Sequence, residues 1–540
     1  MKFRLQHHLI LLGIFSLVVF CILMLPIWVM GYPYELPNLA GMHRVITDGD
    51  PNFFLGSRML PWFLLLFSSF FSWGDPLPWI SINIVALCIS LFPLWWCVNK
   101  LAGNRVAWIS AVLFPLLPLH FIQALRVDGY VFAYVFLFFS IAFFLETNTF
   151  VKNKSVSSKR FAILILLSGL SFGLALAFRD AFILFLPGIV IAAIFFGYRY
   201  WRHLVSGLVI FLGVSLFVYS LPIASHVASQ DVSIIEKGLL LIGAERSTPS
   251  IGHFYPDLYT YEFEKDEYIK DFVAEVSTWS KLDQLGAQNY MQIFGATSST
   301  LIPRILIGSW LIIGSIPSLF LQDYIGGVFL WLFILPGMFL FFKKRRRIFL
   351  LLVWLPISLE VVIRYLFLAQ RSHLMDYAWV LVIFAGVGIV SITQRLTSNK
   401  KNSILIIALI TFMVSIQCMQ ANRSQIARFY NKSNTLNIYA ATKAIDSLPA
   451  DSIVAYPSSI KEYFYLTDTR SIIFAPTTLY SLHNKDSLIF ALNNYAVTHA
   501  IGYEELLSKL INQHVDIIPM PEVSAPAASS FVSLILHWFR

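Results

Sequence analysis

FLFFKKRRRIFLLLVW, residues 339–354, sets five consecutive cations, Lys343–Arg347, between two apolar runs. The run before them reaches back to 325 and the run after them forward to 369. Each has roughly the 20 residues that a helix needs to cross a bilayer. Five adjacent cations cannot rest in hydrocarbon, so this stretch reads as a tight turn at a membrane surface. The bias of Lys and Arg towards cytoplasmic loops puts that turn inside.

Working outward, the whole chain fits this reading. Its 540 residues are 57% hydrophobic and only 13% charged, where a soluble domain carries about 25% charged residues. A single soluble globule and a disordered chain are both excluded. Aromatic residues reach 16%, with 48 Phe, an apolar filler that lipid tolerates. The four cysteines, Cys21, Cys88, Cys97 and Cys418, fall inside apolar runs. They read as small buried hydrophobes, without a disulfide framework or metal-ligand spacing.

Apolar runs predict about eleven spans, at 9–30, 77–99, 106–125, 128–145, 161–178, 181–197, 204–222, 325–342, 348–369, 376–393 and 403–419. Residues 1–30 have the basic start of a signal peptide, but the long run without a small-residue cleavage site favours an uncleaved anchor. Two apolar stretches, 59–73 and 304–321, are short or broken by Pro, Gly and Ser. Leaving both uncrossed gathers the basic clusters on one side: Lys2 and Arg4; Lys100 and Arg105; Lys152, Lys154, Lys159 and Arg160; Arg199 and Arg202; Lys343–Arg347; Arg395, Lys400 and Lys401. Against these eighteen cations stands one acid, Glu146, so the cytoplasmic loops carry +17 and the rest of the chain −8 out of the net +9. The N-terminus is then inside and the C-terminus outside. The basic excess is an orientation signal and does not imply nucleic acid.

Outside lie the loops 31–76 and 223–303 and the tail 421–540, whose composition is that of a soluble domain. Helical patterns near 434–447, 459–466 and 503–512 alternate there with short apolar runs at 452–456, 471–474, 497–501 and 515–518. That alternation predicts a small α/β domain. No Walker A, GxGxxG or HExxH pattern occurs, and no inverted pair of broken helices of the transporter kind is visible.

Polar groups at the outer ends of the spans are the candidates for chemistry. Glu35 follows the first span in GYPYELPNLAGMHRVITDGDP, with Arg44, Asp48 and Asp50 beyond it. Arg126 and Asp128 occupy one short outer connection, and Arg179 and Asp180 another. Glu360 and Arg364 share a helix face at i,i+4, with Tyr365, Arg371, His373 and Asp376 following. Simpler readings exist: arginines at span ends as interfacial anchors, Glu360–Arg364 as a structural ion pair, Asp180 as the partner of Arg179, and Asp48 and Asp50 as turn residues. Glu35 and Asp128 fit none of these, and the acids of 257–271 read as a solvated loop surface. Two separated acids with several arginines at a membrane surface suit transfer from a lipid-linked phosphate donor. The acceptor hydroxyl needs a carboxylate base. The leaving phosphate needs guanidinium, Lys or a divalent cation (Mg, Mn or Ca), and the planar fork of Arg matches two phosphate oxygens.

These residues resemble those of GT-C fold glycosyltransferases, in the branch of the protein O-mannosyltransferases and the lipid A aminoarabinose transferase. Glu35, Arg44, Asp48-Gly49-Asp50-Pro51 and Leu60-Pro61-Trp62-Phe63 match the family's acid, amphipathic stretch, turn and proline-led segment after span one. Asp128 in LRVDGYVFAYVF matches its second acid, Arg179 in SGLSFGLALAFRDAFILFLPG its basic residue after span five, and Arg364-Tyr365 its late Arg-Tyr pair. One departure is that the family often pairs Asp and Glu after span one, where this chain reads Tyr34-Glu35, so the base is Glu35 or Asp50.

The resemblance implies a GT-C-like catalytic domain over 1–420 and an extracytoplasmic α/β domain over 421–540, in a bacterial inner membrane. A sugar would pass from a polyprenyl-phosphate donor, with inversion, to an acceptor that is a protein, lipid A, a glycan or another lipid. It also implies that Asp128 orients the acceptor or holds a cation, and that Arg179, Arg364 and Arg371 bind donor phosphate. Arg44, Asp48, Arg126, Tyr365 and His373 complete the substrate-binding set, and 223–303 would fold over the mouth. The rival readings are an O-antigen polymerase or ligase, a transporter or flippase, and a non-catalytic scaffold.

Overall fold

The computed structural model describes residues 2–30, 59–71, 76–127, 129–152, 158–197, 201–224, 327–366, 375–430, 448–449, 452–457, 470–474, 498–501 and 516–518. The helices are α1 (Lys2–Met30), α2 (Leu60–Ser68), α3 (Pro76–Ala102), α4 (Asn104–Leu113), α5 (Pro118–Leu125), α6 (Gly129–Lys152), α7 (Ser158–Phe178), α8 (Leu186–Gly197), α9 (Trp201–Ser220), α10 (Val328–Leu366), α11 (Met375–Leu396) and α12 (Lys400–Tyr430). Four strands follow: β1 (Ile453–Pro457), β2 (Arg470–Phe474), β3 (His499–Ile501) and β4 (Asp516–Ile518).

The expectation of about eleven spans is corrected. Among the described residues six helices are long and apolar enough to cross a membrane: α1, α3, α6, α7, α11 and α12. A seventh span results if α4 and α5 cross together as a pair bent by 55°. The run 106–125 breaks because Pro115 and Pro118 interrupt it. The chain passes through a 3-10 turn at Phe114–Leu116, and Leu117, held extended before Pro118 at φ −59 and ψ 135, turns the corner. His120 Nδ1 lies 2.7 Å from the Phe114 carbonyl and stitches the bend.

The run 181–197 opens as a 3-10 turn, Asp180–Phe185, which leaves α8 only 12 residues. That is about 18 Å of helix against a hydrocarbon core of about 30 Å. For 204–222 the helix is Trp201–Ser220, with Val205–Ser220 its apolar part. The runs 325–342 and 348–369 fall in α10, broken at Arg345 (φ −141, ψ 50). The stretch 59–73 holds the nine-residue α2, too short to cross. The stretch 304–321 lies outside the described residues.

The predicted tail is corrected as well. All that is described of 431–540 beyond short connecting residues is one parallel sheet of order β2-β1-β3-β4, with Ile453 opposite Arg470 and Val454 opposite His499. The helices expected at 434–447, 459–466 and 503–512 lie outside the described residues, so no α/β domain is described. The chain is an α-helical polytopic membrane protein.

Side-chain contacts fix the directions of the helices. α1 runs antiparallel to α3: the Ser16 hydroxyl donates to the Cys88 carbonyl at 3.3 Å, and Met24 Sδ lies 3.9 Å from the Ser81 hydroxyl. α3 and α6 run parallel, with Phe92 on Phe139, Trp96 on Phe143 and Lys100 paired with Glu146 at 2.6 Å. α7 returns antiparallel to α6, with the Ser168 hydroxyl on the Ser140 carbonyl at 2.9 Å. α7 lies parallel and close to α9. A Cβ at Gly173 would sit 2.6 Å from the Ser215 carbonyl oxygen, so only glycine permits that approach.

The basic groups collect at one end of this bundle. Arg105 reaches the Ser403 hydroxyl at 3.4 Å, and Arg345 donates to the Leu101 carbonyl, one residue from the Lys100–Glu146 pair. Lys343–Arg347 therefore share an end with Lys100, Arg105, Glu146 and the start of α12, the grouping that the charge count assigned to the cytoplasm. Beyond Arg345 the chain turns back into the bundle. Phe342 and Phe349 meet across the break at 5.2 Å, and Ile348 and Leu352 line an apolar cavity of about 60 Å³ with Leu101, Ser140, Ser168 and Trp379.

Candidate functional site

At the opposite end of the bundle the short connections converge. α5 ends at Arg126, whose extended backbone (φ −92, ψ 134) leads to 128 and the start of α6. The last carbonyls of a helix have no intrahelical partner, and α3 supplies one. Asn83, fully buried, donates from Nδ2 to the carbonyls of Gln123 at 2.7 Å, Ala124 at 3.1 Å and also Arg126. Covering these carbonyls also masks the negative end of the α5 dipole.

The second connection meets the first through an aromatic ring. Arg179, extended between α7 and the 3-10 turn that follows (φ −149, ψ 97), lays its guanidinium over Tyr130 at 3.9 Å from the ring centre. Tyr130 is the second residue of α6, so Arg179 stands against the head of the helix that Asp128 precedes. A cation held on an aromatic face gains about 0.5–2 kcal/mol of fixation.

The first outer loop ends at the same place. The Met59 N–H donates to the Ala177 carbonyl at 2.9 Å, two residues from Arg179. Pro61 starts α2, and Phe63 packs on Phe132 and Phe178 at 4.8 and 5.8 Å. Phe178 also stacks on Phe132 and Phe136 at 5.3 and 5.6 Å. The proline-led segment is thus a short helix wedged beside the Arg126 and Arg179 connections.

The candidate residues divide accordingly. Arg126 precedes the start of α6, and Arg179 lies over the second residue of α6. Arg364 and Tyr365 lie on α10, 19 and 20 residues beyond Arg345. At 1.5 Å per residue that carries them about 28 Å along the helix from Arg345. Asp180 lies in the 3-10 turn after Arg179. Glu35, Arg44, Asp48, Asp50, Asp128, Arg371 and His373 lie outside the described residues. Among the described residues no three His, Cys, Asp or Glu side chains come close enough to hold a metal ion. The acids expected to do so are not among them. Sequence reasoning missed Asn83, Tyr130 and the Met59 anchor. Asn83 was visible as the one amide in the apolar run ISINIVALC, and Tyr130 as the aromatic two residues after Asp128.

No known family and no curated protein matches the sequence. Solved structures do match by shape. The oligosaccharyltransferase of Archaeoglobus fulgidus in its apo form aligns with 91% of this chain and 69% of its own, at 14% identity and a TM-score of 0.56. The same archaeal enzyme, AglB, in complex with an inhibitory peptide and a dolichol-phosphate, aligns with 90% of this chain and 69% of its own, at 13% identity and a TM-score of 0.53. Its complex with Zn and sulfate aligns over 62% of its own length, at 14% identity and a TM-score of 0.50, so this chain spans about two thirds of that longer protein. ArnT from Cupriavidus metallidurans, bound to undecaprenyl phosphate, aligns over 95% of this chain and 90% of its own at 12% identity, but its TM-score of 0.48 is too low to carry an argument. At such identities the likeness is one of fold alone: this chain shares the fold of the archaeal oligosaccharyltransferase.

Proposed function

We propose that this chain is a membrane glycosyltransferase that takes a sugar from a polyprenyl-phosphate donor and passes it to an acceptor hydroxyl or amine at the Arg126–Arg179 end of the bundle. The observation that carries this reading is the Arg179 guanidinium on Tyr130, at the head of the helix that Asp128 precedes and beside the anchored end of the loop that bears Glu35. The fold adds support, since an archaeal oligosaccharyltransferase with the same fold was solved with a dolichol-phosphate.

In this reaction a carboxylate, Glu35 or in its place Asp50, takes the acceptor proton as the acceptor attacks the anomeric carbon. The bond from that carbon to the phosphate oxygen breaks, and the lipid phosphate leaves carrying the electron pair. Arg179, with Arg126, Arg364 and Arg371, meets the charge that grows on the phosphate. One displacement inverts the anomeric centre. Asp128 orients the acceptor or holds a divalent cation, and Arg44, Asp48, Tyr365 and His373 complete the substrate contacts.

The test adds polyprenyl-phosphate sugars to the purified full-length protein and follows release of lipid phosphate. Release that depends on protein and acceptor is expected, with Glu35→Gln and Asp128→Asn each abolishing it while still inserting in membranes. Full transfer by both variants would overturn the assignment. No release with any polyprenyl-phosphate sugar would overturn the donor class.

A further inference from the structure

We propose that the basic turn of α10 is a binding site for an anionic glycerophospholipid. Exposed apolar stripes flank that turn on both sides. Before the break, Leu335, Phe339 and Phe342 are exposed along one face at helical spacing; after it, Leu350, Trp354 and Ile357 repeat the pattern. Above them Lys343, Lys344 and Arg346 are exposed, and the Arg346 guanidinium lies 5.4 Å over the Phe342 ring.

Two neighbours shape this arrangement. Arg345 breaks the helix and, though exposed itself, donates to the Leu101 carbonyl, which anchors the corner from which Lys343, Lys344 and Arg346 project. Glu146, the acid beside them at this end, is engaged with Lys100 at 2.6 Å. Orientation alone would be served by cations anywhere in the loop. Here three of them cap two apolar tracks that run into the bilayer, the footprint of one phosphate with acyl chains below it. A free phosphate would use only the cations, so the apolar tracks select a membrane lipid. This site is independent of the chemistry at the other end of the bundle.

The probe is the full-length protein in a neutral detergent, titrated with phosphatidylglycerol, phosphatidylcholine or inorganic phosphate and read by native mass spectrometry. Phosphatidylglycerol adducts should exceed phosphatidylcholine adducts about tenfold or more, given the attraction of each cation near the headgroup. The variant K343Q/K344Q/R346Q, which spares Arg345, should lose that preference. The wild-type preference should also fall when salt rises from about 50 to 500 mM, a reading that needs no variant. Equal adducts with both lipids, an undiminished preference in the variant or at high salt, or displacement by millimolar inorganic phosphate would each overturn the proposal.

Discussion

Asn83 offers the most direct test of how the candidate site is held. Its side-chain amide has two hydrogens and shares them among the carbonyls of Gln123, Ala124 and Arg126, in a fully buried position. Asn83→Leu keeps the branching of the side chain and removes both donors. Each hydrogen bond is worth about 1 kcal/mol net, and stranding a buried carbonyl costs about 1–3 kcal/mol. Water reaching the mouth relieves part of that penalty, so the expected loss is about 2–3 kcal/mol, or roughly 30- to 150-fold in an opening equilibrium. The loss should stay local. The other end of the α4–α5 corner is held separately, by Asn422 on the Leu116 carbonyl at 2.8 Å and by His120 on that of Phe114. Hydrogen exchange on the full chain in micelles should therefore quicken by that factor over 122–127, while 158–178 changes less than about threefold. Unchanged exchange at 122–127 would refute the idea that Asn83 holds this connection. Equal acceleration in α7 would show that it acts on the whole bundle instead.

Two further outcomes follow from named contacts. Tyr130→Leu removes the ring beneath Arg179 and should raise the KM for the lipid-phosphate donor about 3- to 30-fold, the equivalent of a cation–π contact. Tyr130→Phe should keep the wild-type value, and a loss of kcat alone would count against a binding role for Arg179. Gly388→Leu drives a Cβ into the Phe333 carbonyl where α10 and α11 touch and should cost about 1–3 kcal/mol, seen as a lower Tm. Gly213→Ala, which faces open space, should leave the Tm within about a degree of wild type.

What the sequence disclosed, and what it hid, turns on the kind of signal each feature carries. Helices α1, α3, α6, α7, α11 and α12 were readable because each places about twenty apolar residues in an unbroken row, and hydropathy needs nothing more. The run 106–125 is equally apolar, but Pro115 and Pro118 act on backbone geometry, which a hydropathy count does not register. A count also cannot tell a 3-10 turn from an α-helix, so Asp180–Phe185 read as one run with α8. The charge count draws on a different signal. Lys100, Arg105, Glu146 and Lys343–Arg347 lie near one another at helix ends or beside the break in α10, and such places are where a span can carry charge. The same logic pointed to Arg126 and Arg179 at the other end. It could not show that Tyr130 joins them or that Asn83 holds the Arg126 backbone, because both contacts cross between helices about 50 residues apart in the chain. Charge marks where a site lies; the neutral residues that set its geometry emerge only when the helices are packed.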